Sequence, residues 1–279
     1  MGFTSSPASL LEPVKNIADL PRLTRSYVHT ARTALFEKHR AGSGGFEIVG
    51  AYSKMMDELI CHLFVAISKD FQRRYPTGNP QCAIIAQGGY GRSELNPHSD
   101  IDLLFIYPWK VSPFIEAVTE KLLYTLWDAG LQVGHAVRSI SESMRLASTD
   151  MKVRTALLDS RYVCGDPTLY KEFEKAVESR LARKRVSGFV GEKLAENDER
   201  HAGYGGSVYL LEPDVKESEG GLRDIHTARW MARVKMQAKD LDELTDKGII
   251  SAADMAKLKG SHDFLLRVRN ELHFSTGRH

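Results

Sequence analysis

Two short apolar runs, joined by a glycine turn and carrying one pair of acids, constrain this chain more than any other feature. Residues 82–87 (CAIIAQ) read as a buried strand stopped by Gly88-Gly89, and residues 100–107 (DIDLLFIY) read as a second strand. Side chains on a strand alternate between its faces, so Asp100 and Asp102 project together while Ile101 and Leu103 pack the other side. Two carboxylates this close repel each other unless a cation lies between them. A hard divalent ion that also binds phosphate oxygens resolves the repulsion, and magnesium favours such a set of few carboxylates plus phosphate. A bare D-x-D pair is common on surfaces, so this one takes its meaning from the glycines before it.

The spacing is Gly88-Gly89, ten residues, then Asp100, an apolar residue, Asp102 and another apolar residue. Side-chain bulk at either glycine would keep backbone N–H groups away from phosphates. Two metals ~3.5–4 Å apart can stabilise both the attacking and the leaving oxygen of an in-line displacement. The sequence G-x-x-x-x-G-K-[ST] occurs nowhere in the chain, so the glycines are not a P-loop. This layout resembles the signature of the DNA polymerase β-like nucleotidyltransferase superfamily. That resemblance implies an α/β (α+β) core with a mixed sheet. In it Gly88 and Gly89 approach a nucleoside triphosphate, and Asp100 and Asp102 hold two magnesium ions.

The longer string GGYGRSELNPHSDIDL, residues 88–103, is similar to the N-terminal catalytic domain of the bacterial PII uridylyltransferases. Further segments follow in order: 130–138 (GLQVGHAVR), 156–161 (ALLDSR), 216–224 (KESEGGLRD, with Ser218 where the family has glycine) and 266–278 (LRVRNELHFSTGR). The resemblance implies UTP as donor and a tyrosine of the PII nitrogen-signalling protein as acceptor, with pyrophosphate leaving. Family members continue into an HD phosphohydrolase domain and ACT domains. No His-Asp metal constellation follows the matched segments here, so the expectation is transfer without UMP removal and without glutamine control. Two other readings stand beside this one. One is adenylyl transfer, as by the related enzyme that modifies glutamine synthetase. The other is an inactive nucleotide-sensing module, against which the intact Asp100/Asp102 pair speaks.

Several residues carry two readings each. Arg92 binds a phosphate bidentately or pairs with Glu94, and the family motif favours phosphate. Ser99 caps a turn or touches a phosphate. Lys216 and Arg223 flank Gly220-Gly221 before a helix start, which receives an anion or simply docks the helical region on the catalytic core. Arg267, Arg269 and His273 recur at helical spacing, as a cleft-lining basic face or a solvated one. The third carboxylate common in the superfamily has no acid on the strand at 131–138 (LQVGHAVR), and the leading candidate is Asp159 in an extended 157–164 segment. A buried acid there needs a metal or a partner, with Arg161 or Arg154 as the available cations. His135 is a proton acceptor or a satisfied core histidine.

The chain of 279 residues divides by pattern into an N-terminal helical segment (1–75), a nucleotidyltransferase core (76–185) and an all-helical lobe (186–279). Helices are expected at 22–38, 46–75, 90–95, 113–129, 141–150 (Ser141 as N-cap) and from Pro167, capped by Asp166. A glycine break follows at 203–206 (GYGG). With 38 Lys and Arg against 36 Asp and Glu and no basic run interleaved with aromatics, no nucleic-acid partner is expected. No ~20-residue apolar segment is present, so no membrane partner is expected either. The three cysteines, in apolar contexts without paired spacing, point to reduced thiols in a cytoplasmic protein.

Overall fold

The computed structural model describes residues 17–76, 81–183, 186–203 and 214–277. A mixed α+β architecture, as the strand and helix patterns predict, is built on one four-stranded sheet: β1 (Ala83–Ala86), β2 (Ile101–Tyr107), β3 (Val133–Ser139) and β4 (Arg161–Gly165), in the order β3-β2-β1-β4. β1 is antiparallel to both β2 and β4, whereas β2 and β3 run parallel. A parallel pair needs a crossover, here the helix Pro113–Asp128, whose N-cap Ser112 accepts from the Ile115 amide.

Both faces of the inner strands are covered, so β1 and β2 read as continuous apolar runs. Ile84, Ala86, Leu103 and Phe105 face a core shared with the two long N-terminal helices, α1 (Leu20–Arg40) and α2 (Gly45–Arg74). Ala83, Ile85, Leu104 and Ile106 face the opposite core. That second core is walled by α5 (Ile140–Ala147), α6 (Met151–Leu158), α7 (Pro167–Val177), α8 (Val186–Gly203) and α9 (Leu222–Lys235). In chain order α3 is Gly88–Gly91, α4 the crossover helix, α10 Glu243–Asp246 and α11 Ala252–Thr276. The C-terminal helix α11 returns to α2, and its Asn270 accepts a 2.8 Å hydrogen bond from Asn96.

Three local expectations change. The short helix after β1 begins on the glycines at Gly88, not at residue 90. α5 is capped by Ser139, whose hydroxyl accepts from the Glu142 amide at 3.1 Å, so Ser141 lies inside the helix. Residues 157–164 are not one extended segment. Asp150 caps α6 by accepting from the Lys152 and Val153 amides, the helix runs to Leu158, and β4 starts only at Arg161. Asp159 is therefore the residue that ends a helix, not a strand residue. The boundary expected near residue 185 falls at 184–185, and most of the 203–206 break at 204–206; both lie outside the described residues. No helix among the described residues is long and apolar enough to cross a membrane.

Candidate active site

β1 ends at Ala86, and the Gln87 amide donates to the Asp102 carbonyl at 3.0 Å, fixing the glycine turn beside the start of β2. Gly88 has φ +57°, a left-handed conformation that side chains rarely adopt. A Cβ on Gly88 would lie 3.1 Å from Asp102 Oδ2, and one on Gly134 would lie 2.6 Å from Asp102 Oδ1. Gly134 is the β3 residue in register with Asp102. At position 134 a side chain would crowd the space of the Asp102 carboxylate.

Asp102 is exposed along part of its surface but looks into a cleft of about 360 Å³, lined among others by Gly88, Gly89, Arg92, Lys216 and Arg223. Desolvation in the cleft, then the Asp100 charge, push the Asp102 carboxyl up from its ordinary value, while Lys216 pulls it partly back. Asp100 sits immediately before β2. Ser99 lies next to it, its hydroxyl 3.5 Å from Arg269 Nη2. Of the three α11 residues expected to form a basic face, Arg267 is exposed and His273 is buried with its Nδ1 accepting from the His98 amide, leaving Arg269 as the one beside Ser99.

Arg92 is buried between two acids. Its Nε donates to Glu94 at 2.7 Å and its Nη1 to Asp159 at 2.5 Å. Burial opposes the guanidinium charge, but Asp159 and Glu94 outweigh it and hold Arg92 firmly protonated. The partner of Asp159 is therefore Arg92, neither Arg161 nor Arg154. Arg161 is taken by Asp57 at 2.7 and 3.0 Å, and Arg154 donates to the Leu181 carbonyl at 2.7 Å. Gly91 makes this arrangement possible, since a Cβ there would lie 2.0 Å from the Asp159 carbonyl oxygen. His135 pairs in register with Leu103, so it lies on the opposite face of the sheet from Asp102. It is exposed, edge-on to Trp127 with centroids 5.7 Å apart, and is neither a core histidine nor near the aspartates.

The opposite wall of the cleft comes from the turn before α9. Arg223 pairs with Glu217 at 2.8 Å and lies over the Trp230 ring. Desolvation, then Arg223 and Arg269, pull the Lys216 ammonium down, and Glu217 partly restores it. Ser218 is accommodated in place of the family's glycine by accepting from the Asp214 amide at 2.8 Å. Three lining cations escaped the sequence reading, Lys152 on α6 and the pair Lys193 and Arg200 on α8. Lys193 is buried over Trp230 with its Nζ 4.7 Å from the ring centroid, and Arg200 donates to Asp224 and to the Glu217 carbonyl. Their spacing, seven residues apart on α8, marks one helix face, but only the fold shows that this face meets the cleft.

Residues 66–163 match the nucleotidyltransferase domain family, and residues 188–279 match the GlnD PII-uridylyltransferase family. The chain is similar, over these two stretches, to a nucleotidyltransferase domain and to the PII-uridylyltransferase family. It is 44% identical over 225 residues to a bifunctional uridylyltransferase/uridylyl-removing enzyme of Bradyrhizobium sp., covering 80% of this chain and 24% of the relative. The enzyme of the same name from Rhodospirillum rubrum is 43% identical over 235 residues, covering 84% and 25%. That from Rhodopseudomonas palustris is 41% identical over 225 residues, covering 80% and 24%. The chain thus spans about a quarter of the length of the curated relatives it matches.

Proposed function

We propose that this chain transfers UMP from UTP to a tyrosine hydroxyl of a PII signalling protein, with magnesium as cofactor, in the cytoplasm. The observation that carries the reading is the setting of Asp102: glycines clear space around its carboxylate, in a cleft otherwise rich in cations. Asp100 and Asp102 suit a divalent cation, because their mutual repulsion and the desolvation of Asp102 are both relieved by one. When bound, magnesium supplies positive charge to the triphosphate and to the departing pyrophosphate.

The chain's own residues supply binding and orientation. Gly88 and Gly89 keep side chains out of the path of the phosphates, and Lys216 and Arg223 offer charge from the opposite wall. Ser99, beside Arg269, borders the same region. The tyrosine oxygen forms its bond to the α-phosphorus as the bond to the bridging oxygen breaks, and pyrophosphate leaves with that oxygen's electron pair. Asp159 is committed to Arg92, so we assign it as a positioning residue that holds the guanidinium at the cleft rather than as the proton acceptor. The three free cysteines support the cytoplasmic assignment.

The test is incubation with each labelled NTP, magnesium and a PII protein. Magnesium-dependent label on a PII tyrosine from UTP is the expected result. Label from ATP in preference, label on glutamine synthetase instead of PII, or nucleotide binding without transfer to any acceptor would overturn it.

A further inference from the structure

Behind Arg92, on the side away from the cleft, three potential metal ligands converge from distant parts of the chain. Glu94 follows α3, His226 lies on α9 and His262 on α11. One ligand atom of each lies within 4.8 Å of the others. His226 Nε2 is 3.3 Å from Glu94 Oε2, and His262 Nε2 is 3.7 Å from Glu94 Oε1. In a tetrahedral zinc shell with bonds of ~2.0–2.1 Å, neighbouring ligand atoms stand ~3.3 Å apart. The two His–Glu separations are already close to that spacing.

A second observation points the same way. His226 is 2% exposed and His262 7%. Both ring nitrogens of His226, and Nε2 of His262, lack a hydrogen-bond partner. Buried imidazole nitrogens are normally satisfied, so three orphaned ones around a shared carboxylate need a reason. Neither His–Glu approach makes a well-formed hydrogen bond, although each is close enough for a cation to bridge. Glu94 retains acceptor capacity: a carboxylate offers about four lone-pair positions, of which Arg92 and Arg229 take two. A cavity of about 140 Å³ adjoins the cluster, bordered by Arg229 and Asp240, and leaves room for a water as fourth ligand. The edge of Phe46 against His262, centroids 4.7 Å apart, closes one side.

We propose that Glu94, His226 and His262 form a zinc site, separate from the magnesium site at Asp100 and Asp102. Two imidazoles with one carboxylate select a borderline transition metal, whereas magnesium prefers all-oxygen shells. The nearby guanidinium charges of Arg92 and Arg229 are offset by Asp159 and Glu94, so the site is not cationic before metal binds. Bound zinc ties α9 and α11 to the turn that carries Arg92 and shares Glu94 with that arginine. It therefore stiffens the cleft from behind.

The site does not depend on the transfer reaction and is tested without it. The whole chain is stripped with chelator, equilibrated with zinc in the presence of excess magnesium, and assayed for bound zinc and for melting temperature. One zinc per chain and a zinc-dependent rise in Tm are expected for wild type and for Asp102→Asn. His226→Gln and His262→Gln should each weaken zinc binding by more than ~10-fold, since losing even an outer-shell partner costs ~10–100-fold. Cobalt substitution of wild type provides a readout that needs no variant to fold, with the visible spectrum of four-coordinate cobalt expected. Zinc uptake unchanged in the histidine variants, zinc lost only in Asp102→Asn, or a six-coordinate cobalt spectrum would overturn the site.

Discussion

Two pairs of acids lie near the same turn and are treated in opposite ways. Glu94 and Asp159 are buried and share Arg92, and Glu94 also meets His226, His262 and Arg229. Burial opposes ionisation of Glu94, yet its ion pairs, that with the Arg92 guanidinium foremost, outweigh it and hold the carboxyl well below the usual range. Asp100 and Asp102, by contrast, lie side by side with no ion-pair partner among the described residues, and the carboxyl of Asp102 is pushed up. A folded chain gains nothing in stability from holding two like charges together at the mouth of a cationic cleft. The first pair has the chemistry of a scaffold. The second has that of a site waiting for charge supplied by a ligand. Substitutions should separate the two.

The largest effect is expected at Asp102. If the pair holds catalytic magnesium, Asp102→Asn removes charge stabilisation worth several kcal/mol, or ~10³-fold or more in transfer rate. The melting temperature should hold steady or rise, because the substitution also removes the repulsion with Asp100. Turnover within tenfold of wild type at saturating magnesium would place the chemistry elsewhere. Next in size is Asp159→Ala, which strands the buried Arg92. Losing one partner of a buried pair costs ~3–5 kcal/mol, and denaturant unfolding should register it. A variant as stable as wild type but inactive would instead make Asp159 a catalytic carboxylate and erase the contrast between the pairs.

Gly134→Ala sharpens the comparison from the catalytic side. The new methyl would meet Asp102 Oδ1, the free end of a side chain that can swing aside, so stability should change little. The displaced carboxylate should lower transfer by ~10²-fold, the order expected for a 1 Å misplacement. A parallel loss of Tm would mean that the strand, not the carboxylate, had moved.

The sequence made the second pair legible and showed only half of the first, the pairing of Arg92 with Glu94. Alternation over the expected strand 100–107 puts Asp100 and Asp102 on one face from their spacing alone, although β2 itself starts at Ile101, and the glycine turn announces what stands opposite. The Arg92–Asp159 pair links positions 67 residues apart, and no periodicity encodes such a contact. The run from Leu157 to Cys164 is apolar enough to suit either helix or strand, and its decisive signal was the cap at Asp150, which reads equally well as the end of the helix before it. His135 looked like a core residue from its apolar neighbours, but β3 pairs only with β2 among the described residues and lies at the edge of the sheet, where period-two burial fails. The cluster of Glu94, His226 and His262 is similarly invisible, because its members meet only once α9 and α11 have packed against the turn.

The smallest expected effect concerns pH, and it tests the second pair without any substitution. The Asp102 carboxyl is raised above its unfolded-state value, so the folded metal-free protein binds a proton there more tightly than the unfolded chain. That group's contribution to stability is fully present below the unfolded carboxylate pKa and is lost as pH rises through the raised folded value. Glu94 runs the other way: its depressed carboxyl contributes above the unfolded value and is lost only as pH falls well below it. Glu94 should therefore dominate, and overall stability should fall on acidification. Against that trend, the difference between wild type and Asp102→Asn should narrow as pH drops through the acidic range, because protonation of Asp102 removes the same charge that the substitution removes. Saturating magnesium should reverse that difference towards neutral pH, because it binds and stabilises wild type and binds the variant poorly. A wild-type-minus-variant difference that is flat with pH in the absence of metal would show that neither desolvation nor the Asp100 charge raises Asp102, and the contrast between the pairs would fall.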